Sequence, residues 1–397
     1  MFMIWANPVR GQGVWSPLPP MPAAAGFLGA VPYNGKIYLF GGSSPNHTAA
    51  TSKAWVFNPA DSSYTPLPNM PRPTSSAGVV EVDGKIYVMG GSNAVVGDQY
   101  YNTNFIFDPV LLTWDTAPAM PRPRFLFAMA AVEKKIYVIG GGINEAVPTK
   151  LVDVYDTETQ DWSTGVDLPT AKGFLTSAVA DGKIYVCGGT IDVYGLGLST
   201  VVIFDPETNK WTNGKPMPSK RFGAAAVEVA GALFVLGGSS LDAANPFFHT
   251  VERYDPDINA WQSMPSMLTG ARGRAAAVFA GKVYAFGGMN TVDGLNIISS
   301  NAAEVYNATN SAADLAKLYT VSVFPNPVSE RVIFRFEIPV SGQVTVTRPD
   351  GMIVYSKNIR GEQQLEIPAA GLPGGVLFWR FEAVNAGAVS DKIMIIK

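Results

Sequence analysis

Lys85-Ile-Tyr-Val-Met-Gly-Gly91 is one of six related segments in this chain. The others are Lys36-Ile-Tyr-Leu-Phe-Gly-Gly42, Lys135-Ile-Tyr-Val-Ile-Gly-Gly141, Lys183-Ile-Tyr-Val-Cys-Gly-Gly189, Ala232-Leu-Phe-Val-Leu-Gly-Gly238 and Lys282-Val-Tyr-Ala-Phe-Gly-Gly288. Their first glycines stand at 41, 90, 140, 188, 237 and 287, a period of 48 to 50 residues. An aromatic follows each pair at Phe57, Phe107, Tyr155, Phe204, Tyr254 and Tyr306. Seven residues further on come Tyr64, Trp114, Trp162, Trp211 and Trp261, but the sixth copy has Ala313. Those five aromatics each precede the next first glycine by 26 residues, and Trp15 precedes Gly41 by the same distance. Trp15 therefore fills the vacant place.

Each unit offers four β-rich runs, for example Ala224–Val229, Ala232–Leu236, Val201–Phe204 and Lys210–Thr212, separated by turn residues. One four-stranded sheet cannot bury both faces alone, but six set radially around an axis can. A strand at Trp15 would join the last three strands and close the ring, removing an exposed seam. The double glycine permits a tight turn without a Cβ clash, and Asp-Pro pairs such as Asp108-Pro109, Asp205-Pro206 and Asp255-Pro256 favour the turn into the fourth strand. The expectation is an all-β, six-bladed β-propeller over residues 13–308 closed by an N-terminal strand.

Composition narrows the chemistry. The 397 residues carry a net charge of -3, with 47% hydrophobic and only 15% charged residues. No basic excess exists to neutralise phosphates, so no nucleic acid is expected as partner. No apolar run reaches the ~20 residues of a spanning helix, so no transmembrane segment is expected. Two histidines and one cysteine leave little for zinc, haem or iron–sulfur sites, and neither metal nor cofactor is expected. Cys187 shares its repeat column with Phe40, Met89, Ile139, Leu236 and Phe286, so it reads as a small core hydrophobe. His47 and His249 have no second histidine nearby. Asp255-Pro-Asp257-Ile-Asn259 has calcium-loop spacing but occupies a repeated turn, which favours turn chemistry.

The double glycines, the spaced aromatics and the Met-Pro before each first strand resemble the kelch family over about residues 12–308. Tyr64 in place of Trp and Asn307 in place of the usual aspartate are mild departures. Some kelch propellers are copper radical oxidases; no Tyr-His pair occurs here, which argues against that chemistry.

After a small-residue linker at 309–319 the pattern changes. Short alternating runs at Val321–Phe324, Val332–Ile338, Val344–Thr347, Ile353–Tyr355, Leu365–Ile367, Leu377–Ala383 and Lys392–Ile396 predict a small Ig-like β-sandwich over 320–397. Phe324-Pro325-Asn326-Pro327, Asp350-Gly351, the stretch from Leu372 through Gly375 to Arg380, and the closing Lys392-Ile-Met-Ile-Ile-Lys397 resemble a type A sorting domain of the type IX secretion system. The resemblance implies an export address read by that machinery, with the passenger released or anchored at the outer-membrane surface of a Gram-negative bacterium after crossing the periplasm. Such export needs a signal peptide, and Met1-Phe-Met-Ile-Trp-Ala6 is shorter than a complete apolar region. Residues 1–12 are read as a leader or signal remnant.

Strand direction predicts which loops share a face. The loops after the glycine pairs (43–52, 92–104, 143–150, 190–199, 239–250 and 289–301) are long and should emerge beside the segments preceding the first strands. Those segments carry Arg72, Arg122, Arg124, Lys172, Lys220, Arg221, Arg272 and Arg274, and the loops carry Tyr100, Tyr101, Tyr194, Phe247 and Phe248. The expectation is exposed aromatics around cations near the axis, a candidate site on scaffold-mounted loops. A competing reading has the cations bracing strand ends by bonding neighbouring carbonyls. Acidic residues in the loops are few (Asp98, Glu145, Asp192, Asp242, Asp293). Two functions follow: a monomeric binding propeller for a glycan or surface protein, which is favoured, and a kelch-type carbohydrate-active enzyme such as a sialic-acid mutarotase.

Overall fold

The computed structural model describes residues 14–46, 48–94, 99–143, 147–192, 196–241, 247–292, 296–307, 321–383 and 388–396. The expected leader, the linker, His47, Tyr194 and Lys397 lie outside them. Two compact units emerge, Val14–Tyr306 and a C-terminal unit within Asn307–Lys397.

The first unit contains six four-stranded antiparallel sheets. Their innermost strands (Gly29–Tyr33, Gly78–Val82, Ala128–Val132, Thr176–Ala180, Ala225–Val229 and Ala275–Phe279) contact one another in a closed circle. This is a six-bladed propeller. The second strand of every blade is buried almost end to end, as its continuous apolar run demands. Blade 6 takes its outer strand, Trp15–Pro17, from the start of the chain, with Trp15 opposite Tyr306 in the ladder and their rings stacked at 5.4 Å.

Three sets of bonds join neighbouring blades, and each set closes on itself. At the rim, the outer aromatic of one blade donates to a backbone carbonyl of the preceding one. Trp114 bonds Pro68, Trp162 bonds Pro118, Trp211 bonds Val166, Trp261 bonds Lys215 and Trp15 bonds Pro265, at 2.8–3.1 Å. Tyr64 completes the set through its phenol, 3.1 Å from the Pro19 carbonyl. The Trp-to-Tyr departure thus keeps the donor.

In the second set, each second glycine donates its N–H to the leading segment of the next blade, from Gly42 to the Thr74 carbonyl round to Gly288 and Ala25. Here the glycines are obligatory. A Cβ at the first glycine of any pair would stand 2.3–2.8 Å from the next blade's carbonyl oxygen, and φ there is +61° to +64°.

The third set surrounds the axis. Phe27, Ser76, Leu126, Phe174, Gly223 and Gly273 each donate a backbone N–H to the same position in the preceding blade, at 2.7–3.2 Å, returning from Phe27 to Gly273. All six have positive φ, +52° to +62°. For the four that are not glycine this costs on the order of 1–2 kcal/mol each, offset by the hydrogen bonds that hold them.

The C-terminal unit is antiparallel β, but its seven expected short strands are five. Arg331–Thr347 and Ile353–Pro368 form one long hairpin that runs through Pro339 and Gly342 with register shifts at Arg335/Val340 and Val340/Ser341. The bulges carry the pairing across residues that read as a break. Val321–Phe324 and Gly375–Ala383 flank Arg331–Thr347, and Ala388–Ile395 follows at the edge. Val332, Phe334, Val344, Val346, Trp379, Phe381, Ile393 and Ile395 fill the core.

The resemblance motif has a structural role here. Beyond Phe324 and Pro325, the Asn326 Oδ1 accepts from the Met394 N–H at 3.0 Å, with Pro327 exposed beside it. Val328 then bonds the Met394 carbonyl and receives the Ile396 N–H. The opening motif is strapped to the closing strand that bears the exposed Lys392. Gly351 and Gly375 have φ of +87° and +104° with open space around them, so backbone conformation is what they provide.

Candidate functional site

In every blade the segment before the first strand bridges the start of the long loop: Gly26 with Ser43, Ser75 with Ser92, Phe125 with Gly142, Gly173 with Thr190, Phe222 with Ser239 and Arg272 with Met289. The two sets of segments therefore share a face. Its centre differs from expectation. Phe27 and Phe174, from opposite blades, meet edge to face at 6.0 Å, and Phe174 meets Phe222 at 5.4 Å. Phe27 and Phe174, with Ala30, Ala226, Ala276 and Arg274, line an axial cavity of about 180 Å³. Aromatic side chains and a single expected cation, Arg274, border the axis.

Most of the cations turn into the blades, as the competing reading supposed. Arg124 is fully buried, ion-paired with Asp153, and its Nη1 donates to the Gly140 and Leu151 carbonyls at 3.1 and 2.7 Å. Arg122 reaches the same carboxylate at 3.2 Å. Arg221 repeats the arrangement in blade 5, 2.8 Å from Glu252 and 2.8 Å from the Gly237 carbonyl. In blade 6, Arg274 lies 2.8 Å from Glu304 and its Nε donates to Gly287. Lys172 is buried against Thr200 Oγ1 at 2.7 Å, and burial pulls its pKa down. As ligand-binding candidates, Arg124, Arg221, Arg274 and Lys172 are thus corrected. Their donors face carbonyls and acids within the blade, where breaking a pair strands a buried charge.

The aromatics are corrected in part. Tyr101 and Phe247, expected exposed, are buried. Tyr100 is half-buried and stacked on Phe125 at 4.5 Å, and Phe248 lies 5.3 Å from the Arg221 guanidinium. Exposed Arg72 covers the outer side of the Tyr101 ring at 4.6 Å. Lys220 is exposed. His249 Nδ1 is 3.2 Å from the Met267 carbonyl, and burial pushes the Cys187 thiol up to about 12.

Arg272 stands apart. Its guanidinium is half-buried between Phe222 and Phe247, 5.6 and 5.7 Å from the ring centroids. Among the described residues it has no carboxylate partner; its buried Nε, like those of Arg124 and Arg221, has no hydrogen bond. Burial pulls its pKa down with nothing opposing. Buried Ser239 Oγ, on the strand end that bridges both Phe222 and Phe247, is likewise unbonded. These two polar groups beside one aromatic pair thus have no hydrogen-bond partner among the described residues. Sequence reading grouped Arg272 with the other cations and could not separate it from its neighbours.

The fold and face define a six-bladed propeller with a separate β-rich C-terminal unit. A family model described as the KLHDC2/KLHL20/DRC7 Kelch-repeats domain matches residues 27–238 and 121–288. The chain belongs to the kelch-repeat family. A second model, the secretion system C-terminal sorting domain, matches residues 322–397. Among solved structures the chain is similar to one titled "Structure of YjhT", with 17% identity, a TM-score of 0.62, and coverage of 72% of this chain and 95% of that one. No curated protein matches. The sorting-domain match indicates type IX export to the cell surface or extracellular space, and among the described residues no helix is long and apolar enough to cross a membrane.

Proposed function

We propose that the protein is an exported binding propeller whose long-loop face, centred on Arg272, takes a carboxylate-bearing ligand, either an acidic glycan or an acidic loop of a surface protein. The single observation behind this is the half-buried Arg272 guanidinium, which has no acid partner among the described residues. A desolvated cation gains most from an arriving carboxylate, to which it can offer a bidentate fork. Phe222 and Phe247 hold its plane by cation–π contact, and Tyr100, Phe248, Arg72 and Arg122 supply further surface around it. Binding is favoured over turnover because the arginine–carboxylate pairs of blades 3, 5 and 6 are internal bracing.

The test is a glycan array and a surface-protein panel read with wild type and Arg272→Met, with sialic-acid mutarotation measured in parallel. Retention of carboxylated ligands, lost at least tenfold in the variant, is expected. Mutarotation without retention on either screen would favour the enzyme alternative and overturn the binding reading.

A further inference from the structure

Blade 1 differs from its sisters at the position of the buried arginine. In blade 3 the Arg124 side chain touches the Val138, Gly140 and Leu151 carbonyls and the Asp153 carboxylate. By repeat register, the blade 1 counterparts of these four are Leu39, Gly41, Lys53 and Trp55, and the counterpart of Arg124 is Ala25. Leu28 stands where blade 6 has Arg274. All six residues line one cavity of about 170 Å³. The volume an arginine fills in blades 3 and 5 is therefore empty in blade 1, and Met21, Phe40 and Pro45 complete its apolar wall.

The charge of the site is inverted as well. Blades 3 and 5 place an acid on the third strand, Asp153 or Glu252; blade 1 places Trp55 there. Two residues earlier, where those blades have Leu151 and Thr250, blade 1 has Lys53. Lys53 is exposed, and no described carboxylate pairs with it. Ala23 and Pro45 on the rim are also exposed, so the cavity opens to solvent. An apolar cavity of this size has room for a guest about as large as benzene. A lone ammonium at its mouth selects the charge of whatever protrudes.

We infer that this blade 1 cavity is a binding site for a small amphipathic anion, with an aromatic or branched apolar body inside and a carboxylate outside at Lys53. The site uses none of the residues named around Arg272, so the two are tested separately. The probes are 3-phenylpropionate, its neutral isostere 3-phenylpropanol and the cation 3-phenylpropylamine, each titrated into the full chain by calorimetry. The expected order is carboxylate tightest, alcohol weaker, amine weakest. Lys53→Gln, at an exposed position, should weaken the carboxylate about three- to fivefold, as one screened surface charge implies, and leave the alcohol unchanged. Ala25→Met should fill the cavity and abolish all three. If the amine binds as well as the carboxylate, if Lys53→Gln changes nothing, or if no probe binds wild type, the inference is wrong.

Discussion

Replacing Trp15 tests whether the ring is held shut at its rim. The side chain is 5% exposed, stacks on Tyr306 at 5.4 Å, and donates its indole N–H to the Pro265 carbonyl at 2.9 Å. Truncating a buried Trp to Ala costs about 3–5 kcal/mol in transfer and cavity terms. Trp15→Phe keeps most of the stacking and loses only the donor, about 1 kcal/mol. Trp162 makes the same contacts in blade 3, 5.0 Å from Tyr155 and 2.9 Å from the Pro118 carbonyl, but it is half-buried and its strand is tethered at both ends. Trp15→Ala should therefore cost more than Trp162→Ala, because Trp15 is more deeply buried and only its strand joins a blade whose other strands lie about 260–290 residues further along the chain. For a domain of this size, 1 kcal/mol moves Tm by roughly 2–4 °C, so Trp15→Ala should lower the propeller transition by about 6–20 °C and Trp15→Phe by a few degrees. Calorimetry of the full chain, with near-UV circular dichroism to assign the transitions, measures both. Equal melting of Trp15→Ala and Trp162→Ala would refute closure at this strand.

Other outcomes follow from the same contacts. Gly188→Ala places a Cβ 2.4 Å from the Arg221 carbonyl at φ +64°, whereas Gly182→Ala at φ +70° meets nothing within 4 Å. Denaturant unfolding should show the first losing well over the ~1 kcal/mol of left-handed strain that limits the second. Arg124→Met alone should cost up to about 3–5 kcal/mol by leaving buried Asp153 only the half-buried Arg122 as partner, and adding Asp153→Leu should recover most of it. Cys187 should resist thiol reagents at pH 8 in the native state and react on unfolding, since burial holds its pKa near about 12. Removing residues 321–397 should leave a folded propeller retained in the periplasm; normal export of that truncation would reject the address.

How much was legible depended on whether a property repeats. The glycine pairs, the rim aromatics and the Trp15 closure all lie at one spacing, and the structure pairs Trp15 with Tyr306 as that spacing requires. The direction of the arginines was harder, because Arg124 and Arg221 read alike whether they face axis or blade. A signal existed, however. The blades with arginine at that column, 3 and 5, also carry an acid at the second residue of the third strand, Asp153 and Glu252. Blades 1, 2 and 4 have Ala25, Thr74 and Lys172 facing Trp55, Phe105 and Val202. Reading the two columns together gives the pairs of blades 3 and 5, but not that of blade 6, where Ala271 holds the column and Glu304 pairs with Arg274 three residues on. The axial hydrogen-bonded ring left no trace, because Phe27, Ser76, Leu126 and Gly223 share only a backbone conformation. In the C-terminal unit, Pro339 and Gly342 read as a break, while the ladder passes them on bulges.

Trp15 and Tyr306 are partners about 290 residues apart. At roughly 5–20 residues per second of synthesis, some 15–60 s separate their appearance. Blades 1 to 5 draw all four strands from one continuous stretch and can form as they emerge. Blade 6 must wait for the earliest-made strand to return. A chain caught before that moment is an open arc with a bare edge, so any factor that covers the Trp15 segment would delay locking and keep the passenger pliable until it has somewhere to go.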